Sequence, residues 1–234
     1  MFAKYLTEFI GTFFLVLTIG LTVTQDWAGT PMAPLAIGCA LMIMVYMGGH
    51  VSGAHYNPAV SLAAALRGAM SMVDLIPYWI FQIAGALAAS FVVSVIIPVG
   101  ENPADLANFF GPAPGDGYDL ASPGPWIVEI LFTFALALVV LNTATSAGTK
   151  NNSFYGLAIG FTVVVAAFAG GGISGGAFNP AVGIGPNVIK QFVGGADGVI
   201  SNLGLHVVGP LIGGALAAFV FQIQEMFVVK QENA

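Results

Sequence analysis

Two ten-residue stretches of this chain share a pattern with a chemical consequence. Val51-Ser-Gly-Ala-His-Tyr-Asn-Pro-Ala-Val60 and Ile173-Ser-Gly-Gly-Ala-Phe-Asn-Pro-Ala-Val182 set Asn57 and Asn179 directly before Pro58 and Pro180, with Ala59 and Ala181 following. Asn is a good helix N-cap, and Pro suits the first helical position because its missing N–H would have no intrahelical partner there. Each Asn-Pro-Ala box therefore predicts the start of a helix, with a partial charge of roughly +0.5 at its N-terminus. Two such ends brought together, with the amide donors of Asn57 and Asn179, would bind the oxygen of a neutral solute and raise the energy of a cation. A water molecule held by both amides could not relay a proton along an unbroken wire.

The residues before each box have a matching use. Gly53, Ala54, His55 and Tyr56, and likewise Gly175, Gly176, Ala177 and Phe178, are expected to run as irregular backbone and present a ladder of carbonyl acceptors. At membrane depth such backbone is tolerated only inside protein or beside water. Small residues also permit close helix crossing, but crossing alone does not require an Asn-Pro break. Glu8 and Glu129 are the ionisable groups most in need of partners, and each carboxylate could accept N–H bonds from one irregular stretch. Two buried carboxylates could instead form a proton relay, which would make the protein a coupled transporter. His50 and His55 lack a third ligand for a metal, His206 reads either as a pore-edge group or as a bonded interior histidine, and Cys39 reads as a packing residue. No nucleophile, general-base or phosphate-loop constellation is present, so neither an enzyme nor a cofactor is expected.

The elements that position these residues follow from composition. Only 7% of the 234 residues are charged, 57% are hydrophobic and the mean hydropathy is +0.90, too apolar to cover a water-facing surface. A formal charge of −6 without a basic cluster argues against nucleic acid as a partner. Uncharged runs over residues 9–25, 75–100, 130–149 and 198–224 are each long enough for one membrane helix. Runs 27–66 and 151–189 are too long for one span and are broken by the boxes, so each reads as one full span plus a re-entrant half-helix. The apolar start of the chain, interrupted by Glu8, reads as a retained first helix rather than a signal peptide.

The boxes repeat at an offset of 122, Glu8–Leu17 aligns with Glu129–Leu138 at 121, and Gly85–Ala89 resembles Gly214–Ala218 at 129. Each half therefore holds three spans. An odd number inverts the second half, relating the halves by a pseudo-twofold axis in the membrane plane. The expected organisation is one channel domain, 1–234: a first repeat over 1–100, an acidic connecting loop over 101–124 with Glu101, Asp105, Asp116 and Asp119, and a second repeat over 125–234. Cytoplasmic termini would put Lys4, Arg67, Lys150 and Lys230 inside and Lys190 outside.

Paired Asn-Pro-Ala boxes in an inverted repeat, with a Glu in the first and fourth spans and Gly49-His-Val-Ser-Gly-Ala-His55 before the first box, resemble the major intrinsic protein family of aquaporins and glycerol facilitators. The resemblance covers nearly the whole chain. It implies an all-α membrane fold of six spans and two half-helices, loop buttressing by Glu8 and Glu129, a homotetramer with one pore per subunit in the plasma membrane, and passive conduction of water and small neutral solutes. It also implies a second constriction, which by family spacing is Ile37, Ala167, Gly176 and Val182. Val182 stands where most members carry Arg, so a wide, apolar ring is expected, passing glycerol, urea, ammonia or neutral metalloid hydroxides; a water-only channel is the alternative. Gly183 and His206-Val207 match neither classical branch.

Overall fold

The computed structural model describes residues 1–23, 32–97, 111–194 and 199–232, and these are helical with irregular links. Six long helices can cross a membrane: α1 (Phe2–Val23), α2 (Ala33–Ser52), α4 (Met72–Ile96), α5 (Pro123–Val140, continued by a π turn Leu141–Thr145), α6 (Tyr155–Ser174) and α8 (Leu203–Glu232). Two shorter helices follow the boxes, α3 (Pro58–Arg67) and α7 (Pro180–Gly194). Among the described residues the protein is therefore all-helical, with six membrane-capable helices.

Counting uncharged residues sets three span starts too late, that of α4 among them, since it begins at Met72 before Asp74. α1 and α5 begin before their glutamates, not after them, because Glu8 and Glu129 are fully buried and satisfied by the protein itself. Likewise α7 runs past Lys190 instead of stopping at 189. The expectations for Glu101 and Asp105 lie outside the described residues, as does that for the side chain of Lys230.

Local chemistry explains where the helices stop. α2 and α6 end at Gly53 and Gly175, both at φ +89°, a left-handed turn that a side chain would strain. α3 begins with Asn57 Oδ1 accepting from Ala59 N–H at 2.9 Å and ends at Gly68, whose N–H returns to Ala65.

Packing follows the internal symmetry. α1 lies on α4 as α5 lies on α8, and α2 meets α6 between the halves. The half-helices are exchanged, since α3 packs mainly on α8 and α7 on α4. The contact that joins the first two pairs corrects the alignment of the last span. A Cβ on Gly85 would lie 2.5 Å from the Phe9 carbonyl, and one on Gly213 would collide with the Ile130 carbonyl. Ile130 is the counterpart of Phe9 at offset 121, so Gly85 corresponds to Gly213 at offset 128, not to Gly214. The similarity of the two Gly-Ala-Leu-Ala-Ala strings is one residue out of structural register.

Candidate functional site

The two boxes meet in the interior and hold each other. Asn57 Nδ2 donates to the Phe178 carbonyl and Asn179 Nδ2 to the Tyr56 carbonyl, both at 2.9 Å. Each Oδ1 caps its own half-helix by accepting from Ala59 or Ala181 N–H. An Asn amide has two N–H donors, so each retains one, and both residues border the same cavity.

Each irregular stretch is fastened from behind by its carboxylate. Glu8 accepts from Ser52 Oγ (2.6 Å), His55 N (3.0 Å), Tyr56 N (2.7 Å) and Gln82 Nε2 (2.8 Å). Glu129 accepts from Ser174 Oγ (2.7 Å), Ala177 N (3.0 Å) and Phe178 N (2.7 Å). Because these N–H groups point away from the cavity toward the carboxylates, the backbone between them is left to turn its oxygens elsewhere. Ala54, Tyr56 and Phe178 adopt positive φ (54°, 51° and 48°), and Gly176 does so at 65°. A non-glycine residue held there costs about 1 kcal/mol or more, which the carboxylate bonds offset. Gly11 and Gly48 make room for the Tyr56 ring, whose hydroxyl donates to Met44 O at 2.9 Å.

Two members of this framework, Tyr78 and Gln82, are not singled out in the sequence, and His206 reads there as either a pore-edge or a bonded interior group. Tyr78 donates its hydroxyl to Ser52 O at 2.6 Å, and His206 donates Nε2–H to Ser174 O at 2.7 Å. Ser52 and Ser174 are repeat counterparts, and Tyr78 and His206 are related by the same offset of 128 as Gly85 and Gly213. A tyrosine and a histidine thus serve one purpose in the two halves, a likeness that residue identity hides. His206 is fully buried and is not part of the wall of the cavity that holds both boxes, so it is a bonded interior group. Gln82 links Glu8 to Ser61 Oγ, which also meets His55 Nδ1 at 3.0 Å. Arg67 binds Thr145 through Nε and Nη2, pairs with Glu225 at 3.1 Å and stacks over Phe221. It ties the end of α3 to α5 and α8, whereas the sequence offered it only as an orientation signal.

The cavity holding both boxes has a volume of about 380 Å³. Its wall includes Ala54, His55, Tyr56, Gly175, Gly176, Ala177 and Phe178, and all four spaced positions, Ile37, Ala167, Gly176 and Val182. Gly53 instead borders a second cavity, of about 1010 Å³, at the end where Lys4, Arg67 and Lys150 gather. His55 and Val140 belong to both walls, so the two cavities adjoin there. Much of the remaining wall is aliphatic, with Leu15, Leu41, Leu136 and Ile159 from four different helices. Val182 is 4% exposed and belongs to a buried cluster with Val16, Ala86 and Ala177.

A family model for the major intrinsic proteins matches residues 1–221. The chain belongs to the major intrinsic protein family. It is 36% identical over 221 residues to glycerol uptake facilitator protein-like 6 of Lactiplantibacillus plantarum, covering 94% of this chain and 97% of that one. It is 35% identical to aquaporin NIP1-3 of Oryza sativa, over 94% of this chain and 73% of the relative, and 33% identical to aquaporin Z of Rhodopseudomonas palustris, over 94% and 92%. Among solved structures, the Plasmodium falciparum aquaglyceroporin superposes with a TM-score of 0.79, covering 94% of each chain at 19% identity, which shows a shared fold. Relatives of both water-channel and glycerol-facilitator name stand at similar identity, so this family member is an integral membrane channel protein and not an enzyme.

Proposed function

We propose that this chain is a passive channel for water and for small uncharged solutes such as glycerol, urea, ammonia or neutral metalloid hydroxides. The observation that carries the reading is a single cavity bordered by both box asparagines, the carbonyl stretches and the four filter positions. A solute there meets amide donors and carbonyl acceptors on one side and aliphatic wall on the other. The two half-helix N-termini oppose cations with a combined partial charge of about +1, and water oriented by the free N–H of Asn57 and Asn179 does not relay protons. Glu8 and Glu129 are fully engaged as acceptors behind the loops, which supports a buttressing role over proton carriage.

Selectivity is assigned to Ile37, Ala167, Gly176 and Val182. Arginine at the last position would supply a fixed cation and a fork of donors; valine supplies neither and leaves width. The wild type therefore conducts solutes larger than water. The channel works as a homotetramer in the plasma membrane with cytoplasmic termini, a topology supported by Lys4, Arg67 and Lys150 bordering one vestibule.

The test is stopped-flow light scattering on proteoliposomes with a panel of osmolytes. Wild type is expected to pass glycerol, urea or a metalloid hydroxide as well as water, and Val182→Arg to reduce solute flux more than water flux. A wild type that passes only water would overturn the wide-filter reading in favour of a water-only channel. Uptake driven by a proton or ion gradient would overturn the passive reading itself.

A further inference from the structure

The outer side of the cavity has a wall that none of the four filter positions supplies. Gly111, Pro112 and Ala113, from the segment that connects the two halves, border the same cavity as Val182 and Gly176. They are seated backbone to backbone on the second irregular stretch. A Cβ on Gly175 would lie 2.5 Å from Ala113 N and 2.6 Å from Ala113 O, and one on Gly115 would collide with the Gly172 carbonyl. Gly115 N–H donates to Ile173 O at 3.1 Å. The anchor on the other side is Asn187 of α7, 1% exposed, whose Nδ2 donates to Pro112 O at 3.2 Å and to Gly183 O at 2.9 Å. Its Oδ1 faces Gly111 so closely that a Cβ there would approach to 2.8 Å.

We propose that the segment 111–113, held by the buried Asn187, is the fifth wall of the outer constriction and sets the upper size limit of the pore, with Asn187 as its positioning residue. This rests on the channel reading given above and adds to it. Two observations favour it. At the repeat offset of 122, the counterpart of Asn187 is Ala65, so the half-helix itself does not need an amide at this point; the amide is found in the half whose end meets the connecting segment. In addition, Val182, the residue of α7 on the wall of this cavity, is 4% exposed and packed with Val16 and Ala177, so its short side chain is engaged in that packing. With glycines at 111, 115, 172 and 175, the seat is made of main chain, which leaves the wall without the donors of a guanidinium and makes its position depend on the hydrogen bonds that hold it.

The test compares wild type, Asn187→Leu and Ala113→Cys in proteoliposomes, using urea, glycerol and four- and five-carbon polyols as the size series. Asn187→Leu keeps the volume and removes both amide donors. A net hydrogen bond shifts a two-state balance by roughly fivefold, so the ratio of the largest polyol's permeability to that of water is expected to rise by roughly that factor while water permeability stays close to wild type. A merely structural role would instead lower all permeabilities together, and that result, or an unchanged ratio in a folded protein, would overturn the proposal. Should Asn187→Leu fail to fold, Ala113→Cys in a Cys39→Ser background decides: a small thiol reagent is expected to cut polyol flux more than water flux, and quantitative modification without any change would overturn it. The unmodified wild-type baseline tests the wide filter separately, so failure of the fifth wall and failure of the channel reading give different results.

Discussion

Replacing Glu129 by Gln is the most direct test of how the second loop is held. The carboxylate is fully buried; Oε1 accepts Ser174 Oγ and Ala177 N–H, and Oε2 accepts Phe178 N–H. Glutamine offers one acceptor oxygen and one donor group. With its oxygen toward Ser174 and Ala177, the amide nitrogen confronts the Phe178 N–H; flipped, it confronts the Ala177 N–H. Either way one buried backbone donor is orphaned at about 1–3 kcal/mol, and loss of charge assistance on the surviving bonds adds about 1 kcal/mol, giving about 2–4 kcal/mol in total. The damage reaches the paired boxes because the Phe178 carbonyl is the acceptor for Asn57 Nδ2. We expect Glu129→Gln to lower the thermal midpoint in detergent and to reduce water permeability per folded channel in stopped-flow measurements. A variant with wild-type melting and permeability would refute the buttress, and one that converted gradient-driven uptake into leak would identify Glu129 as a proton carrier.

Further expectations follow from the packing. Tyr78→Phe removes the donor to the Ser52 carbonyl and should cost about 1–3 kcal/mol in thermal melts; an unchanged melt would refute a role for this bond in holding the first loop. Gly85→Val drives a side chain into the Phe9 carbonyl and should abolish monodisperse protein, whereas Gly204→Ala, with nothing within 4 Å of the added carbon, should be neutral or stabilising by up to about 1 kcal/mol. Asp119 accepts from the Ser122 side chain and N–H and from Ala121 N–H, which hold its carboxyl below the usual carboxylate range. A folded-state value below the unfolded one gives stability that is present above the unfolded pKa and lost as pH falls through the folded one, so Asp119→Asn should flatten the acid limb of the melting-versus-pH curve.

The sequence disclosed most where chemistry and repetition coincide. Asn57 and Asn179 were legible because a cap followed by proline has one structural use, and the inverted arrangement followed from counting three spans between equivalent boxes. Charge was a poorer guide than the repeat: the uncharged runs start after Glu8 and Glu129, although the repeat puts both inside the first and fourth spans, where their solvation comes from loop N–H groups over 40 residues distant in the chain. The Tyr78 and His206 pair escaped notice because its two members differ in kind and share only the carbonyl they serve. The offset of the last span was misread from a five-residue similarity, when the informative signal was which glycine abuts the first span of its own half. Asn187 gave no signal, since its partner Pro112 belongs to a segment with neither periodicity nor motif.

The crossed bonds at the boxes also bear on how the chain is made. Tyr56 O waits for the amide of Asn179, and Phe178 O for that of Asn57, so a ribosome that has released only the first half has produced a box whose key acceptor is unmet. The junction of the two boxes is consequently a product of the last stage of biogenesis, when the second half enters and both bonds close together. The same reciprocity means that two oppositely inserted copies of an ancestral half could satisfy each other in the same way, so a duplicated gene would inherit a junction already complete rather than have to invent one.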